Sequence, residues 1–226
     1  MPAILCVMPH PDDESFGPAG TIARYAAQGV PVDLLVFTRG QIGARPEPLD
    51  SPEQLGLLRE YETRAAARVL GIRAVTFLDY MDGQLDQAAP GELAAHVAQA
   101  IERSAADVVI TFGPYGITRH ADHIACHKAA LAGAQRSSRP LRLYYVALED
   151  EWAKRFEIDG PETQPTHRID TSDFFETKLT ALACHFSQQD AREFFLMLSQ
   201  RRQTEELFHQ ALPPYKGGGL SDDLLV

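Results

Sequence analysis

Uniformly apolar residues 4–8 (ILCVM) break off into Pro9-His10-Pro11, the pattern of a strand buried on both faces that runs into a loop. Helical spacing follows over 17–28, and PVDLLVF at 31–37 reads as a second buried strand. Residues 39–51 hold the glycines and prolines of an irregular loop. Ser51-Pro52 then caps a helix that runs to Leu70, where Gly71 ends it. A third strand at 75–78, a helix at 91–104, a fourth strand at 107–112 and a helix at 122–135 keep the alternation going. A fifth strand at 141–148, a polar connection and two helices, 172–185 and 191–212, complete the chain. Strands alternating with helices predict an α/β fold: a Rossmann-like parallel sheet with helices on both faces and a C-terminal helical extension. The length of 226 residues fits one domain, with an α/β core over about 1–150 and the C-terminal connection and helices over 151–226.

A formal charge of -10 disfavours non-specific binding to nucleic acid or an anionic membrane, since both partners are polyanions. The substrate is expected to be a small molecule. No run of about 18 apolar residues predicts a membrane span, and the first apolar run is too short for a secretion signal, so the expected location is the cytoplasm. Cys6, Cys126 and Cys184 form no CxxC pair and read as reduced core residues. Assembly into a homo-oligomer is left open.

In an open parallel sheet the substrate crevice lies at the carboxyl ends of the strands. There the loop after the first strand reads His10-Pro11-Asp12-Asp13-Glu14, with acids where a dinucleotide fingerprint needs glycines. One imidazole and three carboxylates repel one another unless a cation or hydrogen bonds offset the cost; a polar turn that caps the next helix is the alternative reading. After the fourth strand, His120-Ala121-Asp122-His123 brings two imidazoles and another carboxylate to the same edge. Together the two clusters offer a His/Asp/His set suited to zinc with a fourth position open for water. His123 and His127 have the spacing of a zinc-protease HExxH helix, but Ile124 stands where that motif needs glutamate, so His127 reads as a partly buried helix residue.

The HPDDE loop with the later HxDH segment resembles the LmbE/PIG-L family of zinc-dependent N-deacetylases. Weaker similarities extend along the chain: Thr38-Arg39-Gly40, the RxxE of Arg59 to Glu62, the Asp82-Gly83 turn and the HxSQ of His185 to Gln188. The resemblance implies that His10, Asp13 and His123 hold zinc, with iron(II) an alternative in the cell, and that Asp12 is the general base. It further implies that His120 stabilises or protonates the tetrahedral intermediate, with Asp122 orienting it, and that Arg59 and Asp82 contact the sugar or its substituent. Of the departures from the family pattern at Gln41, Tyr115, Arg119 and Ala121, the first three are expected at the pocket mouth, where they bear on substrate choice.

The function expected is therefore a metal-dependent amide hydrolase that removes acetyl from an N-acetylglucosamine-type conjugate, the malate conjugate of a bacillithiol-type pathway being the first choice. An amidase of sugar-linked thiol conjugates is the rival enzyme, and a non-catalytic Rossmann-like metal- or ligand-binding module the rival of another class. Phosphoryl transfer is disfavoured because no P-loop is present.

Overall fold

A computed structural model describes residues 1–89 and 91–226. Its strands are β1 (Ile4–Met8), β2 (Val32–Thr38), β3 (Ala74–Tyr80), β4 (Val108–Thr111), β5 (Arg142–Ala147), β6 (His167–Asp170) and β7 (Glu205–Leu212). The helices are α1 (Asp13–Phe16), α2 (Ala19–Ala27), α3 (Pro52–Leu70), α4 (Glu92–Ser104), α5 (Gly116–Arg119), α6 (Ala121–Arg136), α7 (Asp150–Arg155), α8 (Phe175–Cys184) and α9 (Gln189–Arg201). One sheet in the order β3-β2-β1-β4-β5-β7-β6 spans the described residues. The strands β3, β2, β1, β4 and β5 are parallel neighbours.

Alternating side chains of the central strands feed two cores, as the two-residue period of a strand requires. Ile4, Cys6 and Met8 pack with Leu34, Val36, Ile22 and Leu70 on one face. On the other, Leu5 and Val7 pack with Leu35, Phe37, Val97, Val109 and Cys126. Ser51 caps α3 by accepting from the Gln54 N–H at 3.3 Å, and Gly71 closes it in the left-handed region at φ 76°, as the sequence pattern predicts.

The C-terminal third differs from expectation. Residues 205–212 are strand β7, which pairs antiparallel with β5 and β6, so the helix ends at Arg201 and the sheet is mixed. The inward positions of β7 are Glu206, Phe208 and Gln210, and two of the three are polar. Such a strand shows no apolar alternation, and its glutamates, leucines and alanine suit a helix on propensity alone. Tertiary partners account for the polar face: Glu206 accepts from Lys178 Nζ at 2.7 Å and from the Gly20 and Thr21 N–H groups of α2. Cys6 and Cys126 are buried and unpaired, and Cys184 is half-buried and unpaired.

Candidate active site

The sheet order reverses direction at β1, whose neighbours are β2 and β4, and this switch point is where two diverging connections leave a crevice. The loop after β1 supplies His10, Asp12 and Asp13; the turn after β4 and the first turn of α6 supply His120, Asp122 and His123. Donor atoms of His10, His120 and His123 come within 4.8 Å of one another. Asp13 joins them through Oδ2, 3.5 Å from His10 Nδ1, and Oδ1, 3.5 Å from His123 Nε2. Both separations are long for hydrogen bonds, and they run to different oxygens of Asp13, so that its carboxylate lies between the two rings.

Asp13 Oδ2 accepts the His10 N–H at 2.9 Å, which fixes the carboxylate and leaves Oδ1 for a cation. Behind His10, its Nε2 lies 3.1 Å from both Asp122 Oδ2 and Asp82 Oδ1, so that nitrogen carries a proton and Nδ1 faces the donor cluster. His123 stacks on Phe112 with centroids 4.4 Å apart. Burial lowers the His123 pKa, which favours the neutral ring that a metal needs. Burial opposes charge on His10 too, but Asp122, Asp13 and Asp82 outweigh it and hold its pKa well above the ordinary value. Against the cost of burial, the His123 and His10 rings hold the Asp13 carboxyl below the usual carboxylate range. The imidazoles of His10, His120 and His123, with the Asp13 carboxylate beside them, are donor types that suit a divalent cation.

Asp12 adopts φ 87°, a left-handed conformation that is unusual for a residue with a Cβ and turns its side chain away from that of Asp13. Its Oδ2 accepts from Arg59 Nη2 at 2.7 Å, while Oδ1 has no protein partner among the described residues. Burial raises the Asp12 carboxyl to about 7, with Arg59 opposing and Asp13 adding to the rise. Arg59 also donates to the Pro11 and Gly40 carbonyls at 2.8 and 3.0 Å. Gly40, at φ 63°, lies against the guanidinium where any Cβ would collide with Nη1.

Several residues differ from their expected posts. Arg59 and Asp82 line the cavity, but Arg59 spends its two terminal nitrogens on the β1 and β2 loops, and Asp82 bonds His10 and the Ile42 N–H. Asp122, expected beside His120, turns its carboxylate to His10 and to the Gly83 and Leu85 N–H groups. Its own N–H donates instead to His120 Nδ1 at 3.2 Å, so His120 carries its proton on Nε2 in the neutral form. Gln41 and Tyr115 do not line the cavity. Gln41 bridges the Arg39 and Asp82 N–H groups to the Tyr80 carbonyl, and Tyr115 donates to Asp159 at 2.6 Å; side chains that bond readily to nearby loops are thereby drawn away from the cavity. His127 is buried and lies 3.2 Å from the Phe112 carbonyl, apart from the donor cluster.

The sequence reading missed the buried support. Glu14 and His185 are fully buried and paired at 2.8 Å beneath the β1 loop. Glu62 accepts from the N–H and hydroxyl of Ser187. The HPDDE loop, for Glu14, and the RxxE and HxSQ segments, for the others, carried the only signal for these pairs. Nothing in the sequence marked Phe16, Trp152, Phe156 and Phe194 as cavity walls.

A family profile described as "PIG-L: GlcNAc-PI de-N-acetylase" matches residues 5–134. The chain belongs to this family. A Bacillus anthracis relative named "Probable N-acetyl-alpha-D-glucosaminyl L-malate deacetylase 2" is 35% identical over 190 residues, covering 82% of this chain and 80% of that one. An Actinosynnema mirum "1D-myo-inositol 2-acetamido-2-deoxy-alpha-D-glucopyranoside deacetylase" is 32% identical, covering 83% of this chain and 81% of that one. The fold is that of N,N'-diacetylchitobiose deacetylase from Pyrococcus horikoshii, with a TM-score of 0.74 over 92% of this chain and 83% of that chain at 22% identity. The span matched to the PIG-L family holds every donor named above, whereas His185, Lys178 and the walls from Trp152 onward lie beyond it.

Proposed function

We propose that this PIG-L domain is a zinc-dependent deacetylase acting on N-acetylglucosamine linked to a second group, as the names of its malate- and inositol-conjugate relatives suggest. The observation that carries the reading is the divergence of two neighbouring carboxylates, Asp13 toward His10 and His123 and Asp12 toward Arg59. Zinc, held by His10, Asp13 and His123, would supply an acidified water and polarise the acetamide carbonyl. Asp12, aimed by Arg59, takes the proton of the attacking water at Oδ1. His120 offers its Nε2–H to the oxygen that becomes negative, and Asp122 and Asp82 together hold the His10 ring in its ligand tautomer. Asp12 then carries the proton that the departing amine requires. Three unpaired cysteines are in keeping with a reducing compartment such as the cytoplasm. The whole chain forms one catalytic unit in this reading, because both halves line the cavity.

Zinc content and acetate release, measured on the same preparations, test this reading. Asp12→Asn should keep its zinc and lose roughly 10²- to 10⁴-fold in turnover, while Asp13→Asn should lose metal and activity together. Loss of metal from Asp12→Asn, or near-parent turnover by it, would overturn the assignment.

A further inference from the structure

The cavity holding the donor cluster is about 840 Å³, near the top of the roughly 300–1,000 Å³ span of small-molecule pockets and more than one acetamido sugar fills. Its extra space is walled by partly exposed aromatic side chains from separate elements. Phe16, three residues beyond Asp13, packs against Phe194 of α9 with centroids 4.8 Å apart. Trp152 of α7 and Phe156 stack at 5.9 Å, and Ile117, Val146 and Leu148 also line the space. A soluble protein seldom leaves so many large apolar groups together in one concavity without a ligand to cover them.

The charges in the same cavity limit what that ligand can be. Arg59 and Lys178 are the only Lys or Arg side chains lining it among the described residues, and both are already engaged: Arg59 on Asp12, Lys178 on Glu206 and the Gly17 carbonyl. Glu149, Asp190, Glu193 and Glu205 line it as well, and Glu205 has Arg168, outside the lining, 3.6 Å away. A carboxylate entering this lobe would meet those acids, and the further guanidiniums of Arg155 and Arg201 lie over the Trp152 ring outside the cavity lining.

We infer that the group attached to the acetamido sugar is uncharged and apolar, an alkyl or aryl aglycone seated between the Phe16/Phe194 and Trp152/Phe156 pairs. This inference rests on the deacetylase reading for its sugar portion only. Each methylene buried there strengthens binding by about fourfold, so affinity should climb with chain length.

Trp152 is the chain's single tryptophan and reports directly on the lobe. The test compares the methyl and hexyl glycosides of N-acetylglucosamine with its malate conjugate on the zinc-loaded enzyme, following acetate release, and titrates Trp152 emission with the hexyl glycoside. The hexyl compound should exceed both others in kcat/KM by at least about tenfold and shift the emission to the blue with saturation. Phe194→Ser should bring the hexyl-to-methyl ratio toward one, with Phe156→Ser serving if that variant does not fold. A malate conjugate equal to or better than the hexyl glycoside, a ratio indifferent to both variants, or unchanged emission would overturn the inference. If no compound releases acetate, the deacetylase reading falls, and the emission titration alone decides the lobe: saturable binding upholds the apolar subsite and its absence rejects it.

Discussion

Arg59 shows how one residue's duty depends on where its nitrogens point. A helix arginine near a sugar site is expected to hold substrate, but this guanidinium is buried and binds Asp12 and the carbonyls of Pro11 and Gly40. Its removal frees the Asp12 carboxylate to rotate and unties two loops, while the proposed ligands, His10 and Asp13 after β1 and His123 of α6, make no bond to Arg59. Arg59→Ala should therefore lower kcat by roughly 10- to 100-fold, as loss of an orienting partner does, with zinc retained and KM little changed. A raised KM at parent kcat would return the residue to the role of substrate holder. Arg59→Lys should not rescue turnover, because one ammonium on a flexible stem cannot reproduce the planar fork.

At the scale of elements, β7 is tied to the rest of the molecule by a buried ion pair. Glu206 stands between Lys178 of α8 and the first turn of α2, where two backbone N–H groups meet its carboxylate. Both side chains are buried, so removing one leaves the other charged in a medium that solvates it poorly. Lys178→Met should cost about 3–5 kcal/mol in chemical denaturation. Adding Glu206→Gln should recover part of that loss, since the stranded charge is gone. If the double variant is less stable than the sum of the single changes, the pair is not the source of the cost.

Across the whole molecule, acid stability depends in part on a histidine far from the donor cluster. His167 of β6 is fully buried against Tyr144 and Tyr215, and burial, with Arg142 adding, depresses its pKa from 6.5 to about 4. The folded chain keeps this ring neutral while the unfolded chain takes up a proton below 6.5, so stability falls as pH drops from 6.5 toward 4 and this loss then levels off. The shift corresponds to a loss on the order of 3 kcal/mol. His167→Gln should melt lower at neutral pH but lose less of its melting temperature on acidification than the parent. Parallel melting curves across that range would show that the ring does not titrate on unfolding.

The sequence determined the parallel core, because strands buried on both faces must be apolar throughout and helices between them must show a 3.6-residue stripe; β1, β2, β4, α3 and α4 all carry those marks. It also marked His10, Asp13, His120 and His123 as neighbours, since residues at the ends of β1 and β4 must meet once those strands pair. Tertiary structure alone decided the rest. The polar inner face of β7 depends on Lys178 and α2, far away in sequence. Asp122 turns to His10 because the Gly83 and Leu85 N–H groups hold its carboxylate there. Walls drawn from α1, α7 and α9 become one apolar lobe only when the chain brings them together, for no local pattern records which partly exposed side chains will share a cavity.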